Sequence, residues 1–259
     1  MKLEIYLKMI KKHKPNSITL LNLLCGILSI YTLYNTESLI LPSLFILIGA
    51  LMDFCDGLFA RLLKAYSNIG KELDSLADVV TFGVAPSLIV VDLMQEFYRY
   101  TQFLSQYSFV VFIPLLMALM SAYRLAKFNI DERQTMGFIG VPTPANALIW
   151  LSLPIIYYLE TNSIHLWGIP FESFYTTLTA ILLNPLVILF GSILMSFLLV
   201  AELPLFALKF KNLSWKDNKE KFVFLILTII LIFAFNLYAI PLVIFIYILE
   251  SLILNIIKK

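Results

Sequence analysis

Charge is scarce in this chain: about one residue in seven is Asp, Glu, Lys or Arg, while 60% of its 259 residues are apolar. That balance leaves too little polar surface to coat a water-soluble globule of this size, so the main solvent is lipid. Cysteine and histidine are nearly absent, with two of each. Cys25 and Cys55 both fall inside apolar runs, so neither a disulfide framework nor a cysteine metal site follows. His13 and His165 fall in segments assigned below to opposite sides of the membrane and cannot share a site. With no Ser-His or Cys-His nucleophile arrangement to build on, a covalent intermediate has no obvious carrier. No long soluble segment, low-complexity tract or tandem repeat interrupts the hydrophobic pattern.

What remains is apolar sequence in blocks. A helix needs about 20 apolar residues to cross roughly 30 Å of hydrocarbon. Runs of that order occupy 17–36, 39–63, 72–95, 104–127, 143–160, 176–208, 220–238 and 240–257. They predict an all-α integral membrane protein with about eight transmembrane helices. The sixth run is long enough to be tilted or broken, at Pro185 and Pro204. The last two share a tight turn from Asn236 to Pro241 and are expected to form a hairpin. Residues 1–14, MKLEIYLKMIKKHK, interleave apolar and basic positions as an interfacial amphipathic helix does. This segment is expected to be retained: the run after it is long enough to span and lacks a small-residue cleavage site, and bulky Leu24 before Cys25 departs from a lipoprotein signal.

Basic residues mark the cytoplasmic side of short loops. With the N-terminus inside, Lys2, Lys8, Lys11, Lys12 and Lys14 lie in the cytosol, as do Arg61, Lys64 and Lys71, and Arg124, Lys127 and Arg133. Lys209, Lys211, Lys216, Lys219 and Lys221 follow, then Lys258 and Lys259. Only Arg99 of the 19 basic residues is left outside, which predicts an even number of spans with both termini cytoplasmic.

Against this background the stretch Leu51–Val80, LMDFCDGLFARLLKAYSNIGKELDSLADVV, concentrates four aspartates. On a helix, residues three and four apart share a face, so Asp53, Asp56, Gly57 and Ala60 form one stripe and Asp74 and Asp78 another. The intervening KAYSNIGK can reverse the chain and bring the two stripes together near the cytosolic interface. A charged side chain at the centre of a bilayer costs roughly 2.5–3.5 kcal/mol on insertion scales, and like charges one turn apart repel. One or two divalent cations remove both problems, because hard carboxylate oxygens suit Mg²⁺, Mn²⁺ or Ca²⁺. Gly57 and Ala60 leave the helix surface bare for the close approach of a phosphate, and Arg61 can hold one bidentately. The spacing alone also admits a proton or ion path, or a structural network in which Gly57 and Ala60 are helix contacts.

The eight positions Asp53, Asp56, Gly57, Ala60, Arg61, Gly70, Asp74 and Asp78 together resemble the signature of the CDP-alcohol phosphatidyltransferase family. The resemblance implies a dimeric six-helix core, here residues 15–210, that moves a phosphatidyl group from a CDP-linked lipid to an alcohol and releases CMP. Residues 211–259 would then be two additional transmembrane helices. It further implies that the four aspartates bind two divalent metals, that Asp78 also acts as general base, and that Asp56, Gly57, Ala60 and Arg61 hold the cytidine diphosphate, with Gly70 in the same signature. The segments PNSITLLNLLCG from Pro15, YRLAKFNI from Tyr123 and GFIGVPTPANA to Ala147 resemble the phosphatidylserine synthase branch. That branch implies L-serine as acceptor and CDP-diacylglycerol or CDP-archaeol as donor, at the cell membrane, with the active site on the cytoplasmic side and no nucleic acid partner.

Outside the signature, Arg124 and Lys127 at the end of the fourth run can meet a serine carboxylate or a lipid phosphate, with Asn129 as a neutral donor. Equally, basic residues at a helix end determine topology and snorkel to the interface. Thr19 and Asn22, one turn apart, can face the nucleotide or bond between helices. Pro142 and Pro144 read as loop stiffeners and a helix start. Other acceptors keep the same chemistry: glycerol 3-phosphate, inositol or inositol phosphate, with Arg124, Lys127 and Arg133 as added positive charge. A divalent-cation transporter would need polar groups continuing toward the outer face, where Asp92 stands almost alone.

Overall fold

A computed structural model describes residues 2–63, 67–98, 106–131, 137–162, 164, 172–206 and 214–257. Lys64, Arg99, Arg133, His165, Lys209, Lys211, Lys258 and Lys259 lie outside the described residues.

Helix α1 (Lys2–Asn35) runs without interruption through Pro15, so the basic N-terminal stretch and the first predicted span share one helix. It ends in a polar turn where Thr36 and Asn35 side chains bond back to the Thr32 and Tyr31 carbonyls. Helix α2 (Ile40–Leu63) returns along it. The pairing is antiparallel, because a Cβ added to Gly49 would meet the Cys25 side chain at 3.4 Å, the two positions lying nearly equidistant from the turn.

The third predicted span is helical throughout but not uniform. Helix α3 (Asn68–Asp78) is capped by Ser67, whose Oγ accepts from the Gly70 N–H at 3.0 Å. A π-helical turn follows over Val79–Val84, then α4 (Ala85–Tyr98). Pro86 has no N–H to offer the carbonyl four residues back, and the Ser87 hydroxyl donates to the Gly83 carbonyl at 2.7 Å. This run is the centre of the bundle: 67% of its most apolar window is buried, against 22–39% in the other four single spans.

A 3₁₀ segment (Ser108–Leu115) leads into α5 (Leu116–Ile130), and α6 (Thr143–Thr161) follows. Helix α7 (Glu172–Leu182) meets α8 (Pro185–Val200) at a 59° bend, with the Asn184 side chain capping α8 before Pro185. The break predicted at Pro185 is therefore present. Pro204 opens a short strand instead: β1 (Gly137–Ile139) and β2 (Pro204–Phe206) pair antiparallel, Phe138 opposite Leu205. The all-α reading did not anticipate this ribbon, whose partners lie far apart in sequence.

The chain closes with α9 (Trp215–Phe235) and α10 (Ala239–Ile257) around a turn at Asn236, which adopts φ 45°. Phe224 and Tyr247, nearly equidistant from that turn, pack ring to ring at 5.5 Å, as an antiparallel hairpin requires. Tyr247 also donates to the Phe206 carbonyl at 2.7 Å, and Asn255 donates to that of Pro204, so the hairpin grips the ribbon.

Helix occupies each of the eight predicted segments. Among the described residues, five helical runs are long and apolar enough to cross a membrane, or six if the bent α7–α8 pair is one span. The last of the five, Asp217–Ile256, is 40 residues long and would measure about 60 Å if straight, about twice the hydrocarbon thickness. The break at Asn236 resolves that excess. Helix α6 is not among the five, and its Asn146 and Ser152 are buried in the protein rather than turned to lipid. Large apolar side chains such as Phe190 and Phe233 stand exposed around the bundle, the pattern of an all-α integral membrane protein.

Candidate metal centre and active site

The stripes read from the sequence do converge. Asp53 and Asp56 on α2 and Asp74 on α3 place one carboxylate oxygen each within 4.8 Å of the others. Helix α1 packs along both α2 and α3, so the carboxylates meet beside a third helix that the spacing argument had not used. Asp56 is buried, and its Oδ2, like Asp74 Oδ1, has no hydrogen-bond partner. Buried anionic oxygens without donors are unfavourable unless a cation meets them. Three converging carboxylates form the hard oxygen set that suits a divalent ion, and the residues present fit such an ion.

Asp78 stands apart from that trio. One turn further along α3, it is buried and accepts a hydrogen bond at its Oδ1 from Asn22 Nδ2 at 3.2 Å. Of the four aspartates predicted to share two metals, the structure therefore gathers three within reach of one ion. It holds the fourth alongside, close enough for its charge to interact with Asp53, Asp74 and Asp56. Arg124, on α5, lies near enough for its charge to interact with that of Asp78.

A cleft of about 360 Å³ opens beside the carboxylates, lined by α1, α2 and α3, a volume within the usual range for a small-molecule site. Six of the residues predicted to contact a CDP-lipid line it: Thr19, Asp56, Gly57, Ala60, Arg61 and Gly70. Asn22 does not, being used on Asp78. Arg61 is exposed and folds back so that Nε donates to the Gly57 carbonyl at 3.0 Å, keeping the guanidinium at the cleft. Asn16, Ser67 and Lys71 also line the cleft. Asn16 and Ser67 are not singled out by spacing; in the structure both stand against Gly70, where an added Cβ would lie 2.9 Å from Asn16 Oδ1 and from Ser67 Oγ.

Gly57 is different: a Cβ there would meet nothing within 4 Å. Gly57→Ala should therefore fold and gain about 0.5–1 kcal/mol of helix stability. The methyl group, placed in the cleft, should nevertheless weaken nucleotide binding. Isothermal titration with CMP, alongside thermal unfolding in detergent, checks this pair of opposite effects.

The residues predicted for the acceptor alcohol do not line this cleft. Lys127 pairs with Glu202 at 3.1 Å on a partly exposed surface, a contact worth at most about 1 kcal/mol. The Asn129 amide donates to Ser75 Oγ at 3.0 Å and to Glu72 Oε2 at 3.2 Å, while Lys71 Nζ donates to its carbonyl at 2.8 Å. Asn129 thus ties α5 to α3. Arg124 alone is buried, with no hydrogen-bond partner at Nε.

Membrane-crossing helices that gather three carboxylates, two of them with an unpartnered buried oxygen, beside a cleft carrying an arginine and a lysine define an integral membrane protein with a metal-ready site for an anionic ligand. Residues 12–184, more than half of the chain, match the family model for CDP-alcohol phosphatidyltransferase. The chain belongs to that family and is a transferase. It is similar to the CDP-diacylglycerol–serine O-phosphatidyltransferase of Bacillus subtilis, 38% identical over 146 residues, covering 55% of this chain and 76% of that one. The enzyme of the same name from Methanocaldococcus jannaschii is 39% identical over 132 residues, 51% of this chain and 55% of that one. The one from Helicobacter pylori is 33% identical over 158 residues, 58% of this chain and 62% of that one.

Proposed function

We propose that this chain is a phosphatidylserine synthase. It transfers the phosphatidyl group of CDP-diacylglycerol, or the archaetidyl group of CDP-archaeol, to the hydroxyl of L-serine and releases CMP. The observation that carries this reading is a cleft that joins Asp56 and Asp74 to Gly57 and Arg61; the names of the relatives support serine as acceptor.

Asp53, Asp56, Asp74 and Asp78 would hold two divalent cations, Mg²⁺ or Mn²⁺, with Ca²⁺ able to occupy the same oxygens. Bound there, the ions would neutralise the diphosphate and stabilise the departing phosphate. The chain's own groups do the rest. The bare surface at Gly57 and Ala60 admits the nucleotide diphosphate, and Arg61 and Lys71 supply positive charge at the mouth of the cleft. The serine hydroxyl attacks the lipid-side phosphorus, forming the new P–O bond as the bond to CMP breaks. Asp78 takes the hydroxyl proton as general base. Arg124, buried with no partner at Nε and near enough to interact with the charge of Asp78, would receive the serine carboxylate.

The distribution of Lys and Arg supports a cytoplasmic position for both termini and the site, in the cell membrane. Resemblance to the family supports a homodimer built on residues 15–210, with 211–259 as an added hairpin.

An acceptor screen tests the reading. Protein purified in detergent, given CDP-diacylglycerol and Mn²⁺, should form lipid product and CMP with L-serine but not with glycerol 3-phosphate, inositol or inositol phosphate. Arg124→Met should raise KM for serine by about 10-fold or more, the expected loss for a hydrogen bond to a charged group. Product with another acceptor and none with serine would leave the chemistry standing and change the substrate.

A further inference from the structure

The π-helical turn Val79–Val84 has no part in the steps above, although it begins directly after Asp78. Within it, Thr81 sits in the seam between α1 and α2. Thr81 is fully buried there. Two glycines make room for it: a Cβ on Gly26 would lie 2.9 Å from Thr81 Cα, and one on Gly49 would lie 2.6 Å from Thr81 Cγ2. The Thr81 hydroxyl donates to the Asn22 carbonyl at 3.0 Å, and Asn22 Nδ2 donates to Asp78 Oδ1 at 3.2 Å. Asn22 is fully buried, and its own Oδ1 has no partner. Among the described residues the bond to Asp78 is therefore what holds the amide, and its aim depends on where α1 sits at Asn22.

We propose that Thr81 is a positioning residue for the base Asp78, acting through Asn22. Its hydroxyl locks the register of α1 against the π turn. Asn22 then presents its amide to one carboxylate oxygen, and the other oxygen is left to accept the proton of the attacking hydroxyl. Asp78 and Thr81, three residues apart, thus both grip the same residue of α1, one at its side chain and one at its backbone. This inference rests on the assignment of Asp78 as general base.

The alternative is that Thr81 only fills the seam, its methyl group against Gly49. Two substitutions separate the roles. Thr81→Val keeps the shape and removes the hydroxyl; Thr81→Ser keeps the hydroxyl and removes the methyl. With positioning, Thr81→Val lowers kcat about tenfold, since a small misplacement of a reacting group is sufficient for such a loss. At saturating Mn²⁺, KM for CDP-diacylglycerol and serine and the unfolding temperature stay near those of the unaltered protein. Thr81→Ser keeps kcat near the original value while its unfolding temperature falls.

An unchanged kcat in Thr81→Val, or a Thr81→Ser as slow as Thr81→Val, overturns the proposal. Should Thr81→Val fail to fold, Asn22→Leu reads the same link one step closer to Asp78: at saturating Mn²⁺, a lowered kcat supports it and an unchanged kcat overturns it. Full activity in Asp78→Asn would instead remove the base assignment itself, a result distinct from failure of the Thr81 link.

Discussion

Asp78→Asn turns over CDP-diacylglycerol and serine at a rate lower by about 10²–10⁴-fold, the usual contribution of a general base. Asparagine has nearly the shape of aspartate, and its carbonyl oxygen can still accept the hydrogen bond from Asn22 Nδ2 that Asp78 accepts at 3.2 Å. The buried polar pair therefore survives and the variant folds. What it loses is the capacity to take a proton from a hydroxyl that is a poor nucleophile near neutral pH. The measurement is CMP release under saturating substrate and Mn²⁺, with unfolding temperature as the control for folding. Because Asp53, Asp56 and Asp74 remain together as oxygen ligands and Mn²⁺ is saturating, KM for CDP-diacylglycerol should move less than kcat. A variant with full activity would reject Asp78 as the base.

The second large effect is at the trio itself, and it reverses sign with the ion. Without a cation, Asp56 and Asp74 hold buried oxygens that have no donor, and their charges repel. Asp56→Asn or Asp74→Asn relieves that repulsion, so each ion-free variant should unfold at a higher temperature than the ion-free original. With Mn²⁺ at about 100 times its dissociation constant, the original gains about 2.7 kcal/mol from binding. The variants, left with fewer oxygen ligands, gain much less, so the order of stabilities inverts. Activity follows the bound ion: chelation should abolish CMP release in the original, added Mn²⁺ or Mg²⁺ should restore it, and the variants should stay inactive. Thermal unfolding with and without chelator checks the inversion. A stabilisation by Mn²⁺ equal in the original and in Asp56→Asn would place the ion elsewhere.

Much of this architecture is legible from residue order because lipid imposes a simple rule on the backbone. Long apolar runs must close their hydrogen bonds as helices, and helix is found at all eight runs. The bend at Pro185 and the hairpin at Asn236 announce themselves through residues with restricted or permissive backbones. The aspartate stripes are equally readable: a spacing of three or four residues has only one consequence on a helix, and Asp53, Asp56 and Asp74 do meet.

The features that escaped depend on contacts between distant residues. No local period signals the π turn after Asp78 or the fit of Thr81 between Gly26 and Gly49. The β1–β2 ribbon joins residues on either side of three helices. Lys127 and Asn129 look like free polar groups at a helix end until Glu202 and Ser75 appear opposite them. Asn22 was open between a nucleotide contact and an interhelical bond; in the structure its amide is bonded to Asp78.

The central claim is that the carboxylates of α2 and α3 hold cations that in turn hold a nucleotide-activated lipid. Anomalous diffraction from crystals grown with Mn²⁺ and CDP-diacylglycerol tests it directly. The account predicts manganese peaks among Asp53, Asp56 and Asp74, with diphosphate density reaching from them past Gly57 to Arg61. Nucleotide density elsewhere in the molecule, with no metal peak among these three side chains, would contradict it.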